Sequence, residues 1–283
     1  MSIRPAKRIV RAQPTVEGAG VHLRRVFGFG NTTDFDPFLL LDDFRSDEPE
    51  QYRPGFPWHP HRGIETITYV LAGTVEHGDS IGNRGEIRAG DIQWMTAGSG
   101  IIHQEMPKGD AEGRMYGFQL WANLPASLKM TKPGYQEVKA AEIPVVADKD
   151  GAQVHVICGR YGDTRGPVKG VAAEPEYLDI SLPSGLRKSF PIAEDHNVFA
   201  YVFEGSGTFA ETTIAENRSL VLFGQGDEVI VQAGQHGVRF LLVSGKPLRE
   251  PVAWHGPIVM NTQDELRQAF RELDNGTFLK HGS

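Results

Sequence analysis

The sequence predicts an all-β chain: two tandem antiparallel β-barrels with a short C-terminal helix. Three observations predict it. Glycine, 33 of 283 residues, recurs between short β-branched or aromatic runs, the rhythm of many strands joined by tight turns. One pattern of turn residues occurs twice along the chain in the same order. Helical periodicity is nearly absent until the end.

The strands come first. Near the N-terminus, Arg4, Lys7, Arg8 and Arg11 interleave with Ile9 and Val10, which reads as the wet face of an edge strand. Further strands are predicted at Ile64–Val70, Asp91–Met95, Phe199–Phe203 and Val238–Val243, all rich in β-branched and aromatic residues. In the first half, Tyr69-Val70-Leu71-Ala72-Gly73 leads to Gly90-Asp91, five residues, then Ala97-Gly98. In the second, Tyr201-Val202-Phe203-Glu204-Gly205 leads to Gly226-Asp227, five residues, then Ala233-Gly234. Two copies of one all-β unit follow, with expected bounds 1–135 and 136–283. At the end, Thr262 and Glu265 form a capping box, Leu266, Ala269, Phe270 and Leu273 share one face, and Gly276 is the stop signal of a helix assigned to the second unit.

Composition narrows the function classes. A hydrophobic share of 40% and a charged share of 23% are ordinary for a globular chain. The net charge of −7 gives no general pull toward nucleic acid or an anionic membrane, so a direct nucleic-acid reader is disfavoured. No apolar run is long enough to span a bilayer, and Met1-Ser2-Ile3-Arg4-Pro5 lacks the apolar core of a secretory signal. The expected site is the cytoplasm, or the nucleus in a eukaryote. The lone cysteine, Cys158, excludes an internal disulfide and reads as a buried strand thiol.

His59-Pro60-His61 and His103-Gln104-Glu105 carry the chemistry. On a strand, residues two apart project from the same face, so each pair can converge on one point inside a barrel. The result is a metal-ligand set of three imidazoles and one carboxylate, His59, His61, His103 and Glu105, suited to a divalent first-row transition metal. Octahedral coordination would leave two positions open. Aligned on the repeat, these four positions fall on Pro191, Ala193, Arg239 and Leu241 of the second half, none of them a good ligand. The second barrel is therefore expected to be metal-free, with a structural or partner-binding role.

The stretches Phe56-Pro57-Trp58-His59-Pro60-His61-Arg62-Gly63-Ile64-Glu65-Thr66 and Gly90-Asp91 through Met106-Pro107 resemble the signature of the pirin family within the cupin superfamily. Gly256-Pro257-Ile258-Val259-Met260-Asn261-Thr262 is similar to the pirin ending, so the resemblance spans nearly the whole chain. It implies a bicupin, two tandem cupin-type antiparallel β-barrels, with one divalent metal in the N-terminal barrel. Iron, Fe2+, is the first choice, with Mn, Ni, Cu, Zn or Co as alternatives. The family's ligand positions match His59, His61, His103 and Glu105 one by one. Glu65 departs from the wider cupin habit of a metal-binding glutamate in the first motif and is expected to be a nearby strand residue.

The resemblance implies two roles. One is a quercetin 2,3-dioxygenase type oxygenase that opens flavonols with dioxygen, releasing carbon monoxide and a depside, with Glu105 acting as ligand and catalytic proton acceptor in turn. The alternative is a non-enzymatic, iron-dependent, redox-sensing regulator that binds a protein partner such as a transcription factor or a metabolic enzyme. A cupin-type sugar isomerase is weakly supported, because bicupins share fold more than function. Trp94, Met95, Met115 and Phe118 are candidates for an apolar pocket wall beside their reading as plain core. His77 is read as a surface-loop residue.

Overall fold

The β-branched and aromatic runs form the strands expected of them. Ile64–Ala72 is an interior strand of a seven-stranded antiparallel sheet in the order 134–138, 92–96, 64–72, 116–123, 38–43, 21–27, 13–17. A second, four-stranded sheet carries the histidine motifs, in the order Phe56–His61, Ile101–Lys108, Thr74–Asp79, Arg84–Arg88. A nine-stranded sheet accounts for most of the second repeat, with Asn197–Phe209 and Glu228–Gly245 as its long central strands. Equivalent glycines of the repeat do similar work. Gly73 (φ 80°) turns one strand into the next, and Gly205 (φ 65°) bends Asn197–Phe209 where its register with Glu228–Gly245 shifts. The computed structural model describes residues 2–281. None of its described helices is long and apolar enough to cross a membrane.

The chain separates into two compact units that are not its contiguous halves. One comprises Met1–Ala12, Phe35–Pro37 and Ala141–Pro247; the other comprises Gln13–Asp34, Phe38–Ala140 and Leu248–Ser283. The expected bounds 1–135 and 136–283 therefore need correcting at both ends, and strand pairing is the reason. Ala6–Arg11 pairs antiparallel with Ser219–Phe223 as an edge strand, which assigns the N-terminus to the unit of the second repeat. At the other end, the hairpin Ala253–His255 and Ile258–Met260 and the helix Gln263–Asp274 pack with Ile102 in the unit of the first repeat. The helix carries the anticipated capping box, Glu265 N–H donating to Thr262 Oγ1 at 3.2 Å and Thr262 N–H to Glu265 Oε2 at 2.9 Å, worth about 1 kcal/mol. Leu266 and Ala269 are buried.

The interiors of the two units differ. That of the second repeat is filled with apolar side chains, among them Val156, Leu178, Ile180, Phe190, Phe209 and Phe240. The position equivalent to His103, Arg239, is clamped by Asp179 through hydrogen bonds of 3.0 and 2.7 Å. Cys158 is the buried strand thiol anticipated. Arg4 departs from its expected place on a wet face. It is buried, and its guanidinium donates to the carbonyls of Ala193, Glu194, His196 and Gly224, acceptors far along the chain that local patterning cannot reveal.

Candidate metal centre

The site is assembled by one antiparallel pairing. Phe56–His61 runs against Ile101–Lys108 with His61 opposite Ile101 and His59 opposite His103, so strand alternation brings three imidazoles to one face. Their ring centroids lie 4.8 Å (His59 to His61), 4.4 Å (His59 to His103) and 5.1 Å (His61 to His103) apart. One nitrogen from each falls within 4.8 Å of the others. His61 and His103 are buried and His59 half-buried.

Two carbonyls fix the protons of this group. His59 Nδ1 lies 2.8 Å from the Pro57 carbonyl oxygen and His61 Nδ1 lies 3.1 Å from that of Pro257. A carbonyl only accepts, so both Nδ1 atoms carry hydrogen and, in the neutral rings, both Nε2 atoms present lone pairs. Those two Nε2 atoms face each other at 3.1 Å. Two lone pairs so placed repel unless a cation lies between them. His103 adds a second mark of the same kind, since neither of its ring nitrogens has a hydrogen-bond partner although the residue is buried. Burial holds all three imidazoles below their usual pKa, His61 and His103 well below, and so keeps them neutral. Neutral, converging and short of partners, the three fit a divalent metal.

Glu105 is not part of that close group. The register shift beside it puts the extra residue on Phe56–His61, while the pairing of Ile101–Lys108 with Thr74–Asp79 runs unbroken, so Glu105 keeps the face of His103 and its carboxylate meets Thr68. The Thr68 hydroxyl, with one proton to give, lies 3.1 Å from Glu105 Oε1 and 2.7 Å from Gln119 Oε1. Burial pushes the Glu105 carboxyl up to about 7 against the pull of Thr68. Thr68 stands in register with Gln119, Gln119 with Asp42, and Asp42 with Arg25, a polar row across four strands. At its end Arg25 clamps Asp42 with two hydrogen bonds of 2.9 and 2.7 Å and donates to Glu17 at 2.7 Å.

A cavity of about 730 Å³ opens onto these residues, within the size range of small-molecule sites. His59, His61, Glu105 and Thr68 line it, and its apolar walls include Phe56, Trp58, Trp121 and Trp254. His61 meets Trp121 edge-on at 5.0 Å, Trp121 lies 6.0 Å from Trp254, and Trp254 lies 5.5 Å from Phe29 at the exposed rim.

The structure sorts the remaining expectations. Trp94, Met95, Met115 and Phe118 are fully buried core and do not line the cavity. Register explains two of them: Trp94 pairs with Ile67 and Phe118 with Tyr69, on the sheet face opposite Thr68. Glu65, an odd number of residues from Thr68, also lies on that far face, where it accepts a 2.8 Å bond from Thr96 Oγ1. His77 is on the strand Thr74–Asp79, buried, and 3.1 Å from Glu137 rather than in a surface loop. Sequence reasoning missed Trp121, Trp254 and the row from Arg25 to Thr68. The row's one local signal is the carboxylate pair Asp42-Asp43 closing the apolar run Phe38–Leu41.

The chain matches the family described as Pirin over residues 20–122 and the Pirin C-terminal cupin domain over residues 177–279. It is 48% identical over 279 residues to a pirin-like protein of Caulobacter vibrioides, covering 98% of this chain and 100% of that one. Among solved structures, a quercetin 2,3-dioxygenase from Acinetobacter baumannii superposes with a TM-score of 0.90 at 31% identity, covering 98% of this chain and 99% of that one. A bacterial pirin from Escherichia coli, solved in complex with nickel(II), shares the fold with a TM-score of 0.67 at 23% identity, covering 85% of this chain and 99% of that one.

Proposed function

The chain belongs to the pirin family, a bicupin family, and from that premise we propose that it is a metal-dependent oxygenase of flavonol-like substrates. In this reading one divalent metal, Fe2+ by first choice, is held by His59, His61 and His103, with Glu105 joining as fourth ligand. The observation that carries it is the pair of imidazole lone pairs facing at 3.1 Å beside the unpartnered ring of His103, at the wall of an aromatic cavity.

A bound divalent transition metal would supply Lewis-acid stabilisation of an ionised substrate oxygen and a redox centre for dioxygen. The chain's own residues do the rest. Trp121 and Trp254 offer faces and edges to a planar ring system, which apolar walls also shield from water. Glu105 Oε2 takes the proton of the substrate hydroxyl that meets the histidine group, while the Thr68 hydroxyl steadies Oε1. Gln119, Asp42 and Arg25 place hydrogen-bonding groups along one wall for polar ring substituents.

The test is loss of the quercetin absorbance band by the metal-loaded chain in air and under argon. The expected result is decay that needs dioxygen, exceeds that of free metal, and falls at least 100-fold in His59→Ala. If decay matches free metal, or is indifferent to His59, the oxygenase reading fails and the partner-binding regulator implied by the resemblance replaces it.

A further inference from the structure

The histidine strand is tied to the far end of the chain at the residue that follows it. Arg62, 2% exposed, donates from Nη1 to Glu272 Oε2 at 2.8 Å and from Nη2 to the Phe278 carbonyl at 2.7 Å. Its guanidinium lies 4.2 Å from the centre of the Phe278 ring. Its backbone bridges to Ile258 in parallel, and Val259 N–H donates to the Arg62 carbonyl at 3.1 Å. Lys129 closes the knot, donating to the Gly63 carbonyl at 2.9 Å and to that of Val259 at 3.1 Å. These contacts fix Pro257, whose carbonyl accepts from His61 Nδ1.

Groups that hold the outer nitrogen of a metal-ligating histidine set both its tautomer and its aim. Here that group comes from a segment almost two hundred residues further on, held in place by the side chain next to His61. Glu272 answers Arg62 from the C-terminal helix and touches none of the candidate ligands. Burial disfavours its charge, yet the bonds from Gln268, Lys280 and Arg62 prevail and bring its carboxyl down to about 2.

We propose that Arg62 is a positioning residue for the metal: paired with Glu272 and the Phe278 carbonyl, it latches the C-terminal segment so that Pro257 holds His61 in its metal-ready orientation. The inference rests on the reading of the three histidines as the metal site. Linkage makes the effect reciprocal, so a metal at the histidines tightens the C-terminal helix on its unit.

Cobalt(II) serves as the probe, with affinity measured by chelator competition, ligand-field absorption recorded, and amide exchange followed over Gln263–Asp274 in the full chain with and without metal. Glu272→Gln keeps the size and removes the charge; it should weaken cobalt binding about 10-fold, and Arg62→Gln between about 10- and 100-fold, with partial rescue in Arg62→Lys. The absorption bands should shift in Arg62→Gln, and cobalt should slow exchange in the helix of the parent but not of Glu272→Gln. Unchanged affinity and bands in Glu272→Gln, with helix exchange indifferent to metal, would overturn the proposal even if that variant is less stable. Where Arg62→Gln does not fold, Glu272→Gln decides alone. Cobalt binding that survives His103→Ala would sink the underlying metal reading instead, a separate outcome.

Discussion

Replacing His103 by alanine should abolish tight metal binding and leave the metal-free fold about as stable as the parent. The two effects part because of how the residue is held. His103 is 1% exposed, and neither ring nitrogen has a hydrogen-bond partner. Burying an unsatisfied polar group costs about 1–3 kcal/mol, a cost that truncation removes. Truncation also leaves a cavity and forfeits packing, on the order of 1–3 kcal/mol in the other direction. The sum lies within about 2 kcal/mol of zero. Metal affinity has no such offset, and losing one of three converging imidazoles should cost at least about 3 kcal/mol, more than 100-fold in Kd. Urea unfolding in chelator and chelator competition with cobalt(II) measure the two quantities. A large loss of apo stability with affinity intact would mean that the ring is a packing element.

Gly63→Ala should be among the most destabilising single substitutions in this unit. At φ 77° the backbone is left-handed, which costs an L-residue about 1–2 kcal/mol. At Gly63 an added Cβ would also stand 1.9 Å from the Val259 carbonyl oxygen, which is backbone and held in turn by Lys129. Either the His61–Ile64 turn or the C-terminal segment must move, and about 3–5 kcal/mol in total is expected. Gly82→Ala isolates the backbone part, because its φ of 97° is comparable and nothing lies within 4 Å of the added atom. Denaturant unfolding should separate the two variants by at least about 2 kcal/mol. Equal losses would show that the Val259 contact is not rigid.

What the sequence disclosed of this site is what alternation along a strand discloses. His59 and His61 two apart share a face because of the pleat, whatever the partner strand is, and the pairing that sets His103 opposite His59 brings the third imidazole to them. Glu105 was read by the same rule, and the unbroken pairing of its strand with Thr74–Asp79 keeps it on the face of His103; its contact with Thr68 is one that spacing does not reveal. Pro257 and Trp254 lie far from the motifs, and only the packing of the C-terminal segment in the unit of the first repeat brings them to the site. The repeat revealed two barrels but not the exchange of chain ends between them, which strand pairing alone decides. Trp94 and Phe118 carried two readings, cavity wall and plain core, and parity along their strands sets them on the far face, in the core.

The central claim, one metal in the barrel of the first repeat, is tested most directly by native mass spectrometry of the chain saturated with cobalt(II) and desalted. One ion per chain is the expected count, falling to none in His61→Ala. Two specifically held ions, or one that persists in His61→Ala, would contradict the account.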